Sequence, residues 1–141
     1  MPVPSALTRP APLLAGLLAT AGALHFLVPE PFDGIVPTSL PGRPRDWTRA
    51  SGAAELALAA AVALPATRRT GGLLAAGFFA AVFPANVKMA YDWRHRPAPL
   101  RNAAYARLPL QAPLVMWALK VSRSARSGSG SGARGLMPTR G

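Results

Sequence analysis

The residues of this chain that could do chemistry are a few polar side chains set inside or beside apolar stretches. They are His25, Glu55, Asn86 and the pair Arg107 and Gln111. Polar and ionisable groups are costly at membrane depth, so each is a candidate for a binding site. A histidine and a glutamate with nearby amide donors could bind the carbonyl or hydroxyl of a quinone-like ring and relay its protons. Glu55 is our leading candidate, although the sequence assigns no residue a catalytic role.

Glu55 also has a purely structural interpretation. A carboxyl group inside a helix bundle either stays protonated or finds a cationic partner. His25, Lys88 and Arg107 are the cations that we predict at its level. An ion pair between Glu55 and Arg107 would only lock two helices together, and His25 could equally be a satisfied histidine at a helix end.

The amide candidates have structural alternatives as well. Asn86 follows Pro84 closely and could bond the carbonyl groups that a proline kink leaves free. Arg107 and Gln111 flank Pro109, so both could cap the start of a helix.

Composition excludes several kinds of site and partner. The chain has no cysteine, so disulfides, thiolate metal sites and thiol relays are excluded. His95, the other histidine, lies between Arg94 and Arg96 in a predicted loop, and we expect neither haem nor another metal. The net charge is +11, but the basic residues sit in short loops and in the C-terminal region rather than in one aromatic-lined stripe. Membrane lipids with anionic headgroups, and not nucleic acid, are the expected partners.

Four helices would position the candidate residues at a common depth, near the same end of the bundle. The predicted spans, which make up a membrane domain over residues 1–121, are residues 11–28, 50–65, 71–89 and 104–121. About 18 residues at ~1.5 Å each just cross a hydrocarbon core of about 30 Å. Residues 122–141 are rich in Gly, Ser and Arg and are predicted to be a disordered basic tail.

The predicted fold is therefore an all-α integral membrane four-helix bundle with a proline-rich first loop. Apolar side chains in residues 29–50 indicate that this loop lies at the membrane interface or folds back as a cap over a pocket. Ala53, Ala57 and Ala61 predict a face of the second span that packs closely on another helix. Pro84 predicts a kink in the third span.

Location and orientation have open alternatives. The first span could be a signal peptide, and the whole chain could be a soluble alanine-rich bundle. Eight Lys or Arg side chains fall on each side of the four predicted spans, so the positive-inside rule is tied. The acidic loop residues favour termini in the cytoplasm.

Five motifs resemble small DoxX-like membrane proteins of bacteria. They are HFxxPxxFxxIVPxxLP from His25, SGxxE from Ser51, PxxRR from Pro65, FPAN from Phe83 and RLPLQ from Arg107. The resemblance implies a four-helix bundle in the bacterial cell membrane and, more loosely, an association with quinone-linked redox complexes. It implies no catalytic residues, and fold does not fix function.

We therefore expect an accessory subunit of a membrane redox system, without independent catalytic activity, that binds a quinone or similar lipid-soluble molecule non-covalently. The expected protein partners are components of a redox complex or a second copy of the chain. The alternatives are a non-catalytic membrane scaffold or chaperone and a small proton-coupled carrier that uses Glu55 as its proton site.

Overall fold

The computed structural model describes residues 10–129, which fold almost entirely into helices. In chain order these are α1 (Pro10–Leu27), α2 (Glu30–Asp33), α3 (Pro44–Ala63), α4 (Arg68–Ala81), α5 (Phe83–Asp92) and α6 (Ala98–Ser129). No strand occurs among these residues. The predicted all-α class is confirmed.

Prolines determine where several helices begin. Pro44 lies in the first turn of α3, where the missing N–H costs nothing and the fixed φ favours the helix. Helix α3 thus starts six residues before the predicted residue 50. Pro84 lies in the first turn of α5, and the break between α4 and α5 falls at Val82. The proline ring cannot pack against the preceding helical turn, so the predicted kink of the third span is confirmed.

Helix α6 is much longer than the predicted fourth span. It runs from Ala98 to Ser129 and continues through Pro109 and Pro113. The prediction that residues 122–129 belong to the tail is therefore wrong. Ser122 is buried against Gly72 of α4, and this packing extends the helix beyond the predicted span. The rest of the predicted tail, residues 130–141, lies outside the described residues.

The four long segments pack around one core, with α1 against α3 and α4 against both α3 and α6. Leu14, Leu18, Val62 and Val121 are its largest fully buried apolar side chains. Trp117 Nε1 donates a hydrogen bond to the carbonyl oxygen of Pro10 at 3.0 Å, which ties α6 to the start of α1. The second half of α6 therefore lies beside the start of α1.

Two helical segments are long and apolar enough to cross a membrane. They are α1 and the kinked segment Arg68–Asp92, and only 28% of the residues in either apolar window are buried. Large apolar side chains project outward from these segments, namely Leu13, Leu17, Leu24, Leu73, Leu74 and Val87.

Candidate functional site

His25 and Glu55 form a buried contact between α1 and α3. His25 Nδ1 lies 2.9 Å from Glu55 Oε2, and the two side chains are 12% and 10% exposed. Of the three cations that we predicted beside Glu55, only His25 reaches it. Lys88 pairs with Asp92 instead, and Arg107 forms no ion pair within residues 10–129. The interpretation of Glu55 and Arg107 as an ion pair is wrong.

The imidazole of His25 has a defined proton position. Its Nδ1 lies 2.7 Å from the carbonyl oxygen of Ala21 as well as close to Glu55. A carbonyl oxygen only accepts hydrogen bonds, so Nδ1 carries a hydrogen. Glu55 Oε2 is buried and makes no well-directed hydrogen bond, so its approach to Nδ1 is mainly electrostatic. Nε2 makes no hydrogen bond in the described part of the chain. The pair therefore keeps unused hydrogen-bonding capacity at both side chains.

Two glycines bring His25 and Glu55 together. A Cβ on Gly52 would lie 2.7 Å from His25 Cβ, and a Cβ on Gly22 would lie 2.9 Å from the Gly52 carbonyl oxygen. Glycine at both positions lets the backbones of α1 and α3 approach closely beside the pair.

The buried face of α3 is not the predicted alanine face. Ala53 and Ala57 are exposed, and only Ala61 packs closely, against Gly71 of α4. The face that packs on the other helices instead contains Gly52 and Glu55.

The segment between α1 and α3, residues 29–43, folds over the end of α1, and we call it the cap segment. The ring of Phe32 stacks on the imidazole of His25 with the centroids 3.8 Å apart and an interplanar angle of 25°. Lys88 Nζ of α5 donates to the Gly34 carbonyl oxygen at 3.3 Å. Gly42 turns the chain into α3 with a φ of 84°, a conformation that favours glycine. Phe32 thus covers His25 at the place where we expected a pocket.

An ionic contact fastens the cap segment to α3. Arg45 Nε donates to Asp33 Oδ2 at 2.7 Å. The Thr48 hydroxyl is the main group that lowers the pKa of Asp33 below its ordinary 3.8. Desolvation raises this pKa, but Arg45 and Arg49 also lower it, so the pKa is lower overall. Thr48 Oγ1 and Asp33 Oδ1 are both buried without a well-formed hydrogen bond. The pKa direction means that folding favours the ionised carboxylate.

Asn86 and Gln111 form a second polar pair, between α5 and α6. Asn86 Nδ2 donates to Gln111 Oε1 at 3.1 Å, and the Gln111 amide donates to the carbonyl oxygen of Phe79. Phe79 lies in the last turn of α4, just before the break that precedes Pro84. Gln111 rather than Asn86 therefore satisfies a carbonyl group at the kink, which corrects our interpretation of Asn86.

The structure places four of the five predicted residues in two separate pairs, and Arg107 belongs to neither pair. No hydrogen bond or ion pair within residues 10–129 joins His25 and Glu55 to Asn86 and Gln111. Arg107 lies inside α6, as does Gln111, so neither caps a helix start.

Sequence reasoning missed Thr48 as a buried polar residue of the site region. Thr48 is 2% exposed and lies two helical turns before Glu55 on the same face of α3. The signal was the helical spacing of residues 48, 52, 55, 59 and 62, which all face inward. We missed it because we began the helix at residue 50.

The described residues contain no group of three His, Asp or Glu side chains that could hold a metal ion.

Comparison of the sequence with known protein families identifies one matching family. Residues 14–122 match the family model described as a domain of unknown function, DUF8561. The chain belongs to the DUF8561 family. The matched region includes both polar pairs and the cap segment. No curated protein and no solved structure matches the chain.

Proposed function

We propose that this DUF8561 protein is a four-span, DoxX-like accessory subunit of a membrane redox system. In this proposal it binds a quinone or similar lipid-soluble ring molecule at His25 and Glu55.

Membrane insertion of four spans is supported by how α3 and α6 pack. Helix α3 has 20 residues and is long enough to cross about 30 Å, and α6 is longer still. Both pack on the two apolar segments identified above, and Glu55 and Gln111 face inward, as polar groups in spans usually do. With four spans both termini share a side, which we place in the cytoplasm because Glu30, Asp33 and Asp92 lie at the opposite end.

The observation that carries the ligand proposal is the unused hydrogen-bonding capacity of a buried ionisable pair beneath a stacked aromatic ring. Phe32 lies nearly parallel to the imidazole of His25. A planar ring molecule fits the same face by stacking once Phe32 moves aside. His25 Nε2 and Glu55 Oε2 then supply polar contacts to oxygen atoms at the edge of that ring.

The side chains would act by moving protons at the oxygens of the ligand. His25 Nε2 is the nitrogen available to take or give a proton, because Nδ1 is held by Ala21 and Glu55. Glu55 stabilises the imidazolium form whenever Nε2 carries a second proton. A quinone supplies two-electron chemistry when bound, and a partner protein must exchange the electrons.

A thermal-shift titration of the detergent-purified chain with menaquinone and ubiquinone analogues tests the proposal. We expect the melting temperature of the native chain to rise with ligand concentration, because ligand at a hundred times Kd stabilises the folded state by about 2.7 kcal/mol. Glu55→Gln should abolish the rise because it removes the ionisable carboxyl group. Asp46→Asn, the same carboxyl-to-amide change at an exposed position outside the cap segment, is the matched control and should keep it. No rise for the native chain, or an equal rise for Glu55→Gln, contradicts ligand binding at this pair.

A membrane scaffold is the second candidate, and the contacts of Gln111 with two other helices favour it. Its amide nitrogen donates to Phe79 of α4 and its amide oxygen accepts from Asn86 of α5, so this side chain joins α6 to both helices. If the polar groups only lock the bundle, Glu55→Gln will lower the melting temperature without changing any ligand response. The same titration therefore separates the two candidates.

A further inference from the structure

An open groove lies at the end of the molecule opposite His25. It has a volume of about 860 Å³ and runs between the start of α1 and the second half of α6. Ligand sites in proteins commonly have volumes of about 300–1,000 Å³. The residues used below are Leu13, Pro113, Met116, Trp117, Lys120 and Arg123.

The groove changes from apolar to basic along α6. Pro113 and Met116 line its inner part, together with Leu13 of α1, whereas Lys120 and Arg123 line its outer part. Residues 113, 116, 120 and 123 share one helical face, with about 10 Å between Met116 and Arg123 at ~1.5 Å per residue. In a membrane-spanning α6, the apolar part faces acyl chains and the basic part reaches the headgroup layer.

The polar group of Trp117 is already used inside the protein. Its Nε1 donates to the Pro10 carbonyl oxygen, which fixes the indole where it lines the groove. Pro113 has no N–H to offer. The middle of the groove thus provides apolar surface with few free donors, which suits hydrocarbon better than a polar solute.

We propose that this groove binds one anionic phospholipid. The acyl chain lies along Leu13 and Met116, and the phosphate meets Lys120 and the Ser124 hydroxyl at the rim. This inference rests on the proposed membrane insertion but is independent of the quinone proposal. Charge complementarity selects the occupant, because a zwitterionic lipid offers Lys120 no net charge.

Tryptophan quenching in detergent tests this assignment with the full chain. Trp47→Phe and Trp93→Phe leave Trp117 as the reporter, because the chain has three tryptophans. The probes are phosphatidylglycerol with brominated acyl chains and phosphatidylcholine with the same chains. We expect both lipids to quench saturably, with a half-saturating concentration at least about five-fold lower for phosphatidylglycerol than for phosphatidylcholine. Each basic residue near an anionic surface contributes about that factor in affinity.

Lys120→Gln is the decisive variant, and Arg69→Gln is its control. Arg69 is exposed at the same end of the molecule but does not line the groove. Lys120→Gln should raise the half-saturating concentration of phosphatidylglycerol about five-fold and leave that of phosphatidylcholine unchanged. Arg69→Gln should change neither value.

Several results would overturn the assignment. They are equal quenching by the two lipids, equal effects of the two variants, and displacement of the lipid by inorganic phosphate alone. Alkaline extraction of membranes separates this failure from failure of the membrane proposal. A chain released at alkaline pH contradicts membrane insertion and the lipid groove together, whereas a retained chain without lipid preference contradicts the groove alone.

Discussion

The two buried polar pairs of this protein differ in how completely their hydrogen-bonding capacity is used. Asn86 and Gln111 are neutral: the Asn86 amide donates to Gln111 Oε1, the Gln111 amide donates to the Phe79 carbonyl oxygen, and neither side chain has a buried polar atom without a hydrogen bond. His25 and Glu55 are ionisable and keep an unused imidazole nitrogen and a poorly satisfied carboxyl oxygen. We propose that the first pair acts as a structural lock and that the second binds a ligand.

This difference gives a criterion for proposing which buried polar pair binds a ligand. Glu55 Oε2 lies close to His25 Nδ1 but makes no well-directed hydrogen bond, and a buried polar atom in that state lowers stability unless another group contacts it. Glu55 and Gln111 are almost equally buried, at 7% and 4% exposure. Burial alone therefore does not distinguish them, whereas the use of their lone pairs and hydrogens does.

The largest effect should come from breaking the lock. Gln111→Leu keeps the side-chain size but leaves the Asn86 amide and the Phe79 carbonyl oxygen without their partner. Each of the two buried groups left unpaired costs about 1–3 kcal/mol, so we expect a loss of about 2–6 kcal/mol in the free energy of unfolding. Chemical denaturation in detergent measures it. The control is Asn102→Leu, a polar-to-leucine change at an exposed position of α6, which should alter stability by less than about 0.5 kcal/mol.

The ligand response adds a second readout to this variant. The quinone-dependent melting shift should persist in Gln111→Leu, because His25 and Glu55 are not in contact with Gln111. Loss of that shift in a variant that is still folded would show that the two pairs act as one site, and the comparison would fail.

An intermediate effect is expected from separating α1 and α3. The Cβ of Gly52→Ala would meet His25 Cβ at 2.7 Å, so the helices must shift, at a cost of about 1–3 kcal/mol. Gly72→Ala is the matched control, since its Cβ would meet the Ala118 carbonyl oxygen at 2.9 Å between α4 and α6. Both variants should melt earlier, but only Gly52→Ala should also weaken the quinone response. Equal quinone responses in the two variants would show that the spacing of α1 and α3 does not control binding.

The sequence predicts the helices well and their contacts less well. Apolar runs indicate the helical segments directly, and Pro84 indicates the kink because a missing N–H has a local effect. By contrast, the buried face of α3 depends on which partner helix packs there. Small side chains at Ala53 and Ala57 allow close packing without requiring it, and in the structure the close approach occurs at Gly22 and Gly52.

The candidate site was predicted as one cluster because sequence gives the depth of a residue but not its direction around a bundle. Counting residues from the span ends placed His25, Glu55, Asn86 and Gln111 at a common level. It could not show that α1 pairs with α3 while α5 pairs with α6. The role of Pro109 was also ambiguous, since proline is found both at helix starts and inside membrane helices.

The smallest effect concerns the fastening of the cap segment over His25, and it is pH-dependent. The Thr48 hydroxyl and Arg45 hold the pKa of Asp33 below 3.8, so the ionised carboxylate stabilises the folded state at neutral pH. This contribution is fully present above pH 3.8 and is lost as the pH falls through the lower pKa of the folded state. Asp33→Asn should therefore remove a stabilisation of less than about 1 kcal/mol at pH 7.

Thermal unfolding from neutral to acidic pH measures this stabilisation, and Asp46→Asn, a change at an exposed acidic residue of α3, is the control. The difference in the free energy of unfolding between the native chain and Asp33→Asn should shrink below pH 3.8. A difference that is constant with pH would mean that the Asp33 contact is not ionic and that acid does not loosen the cap segment.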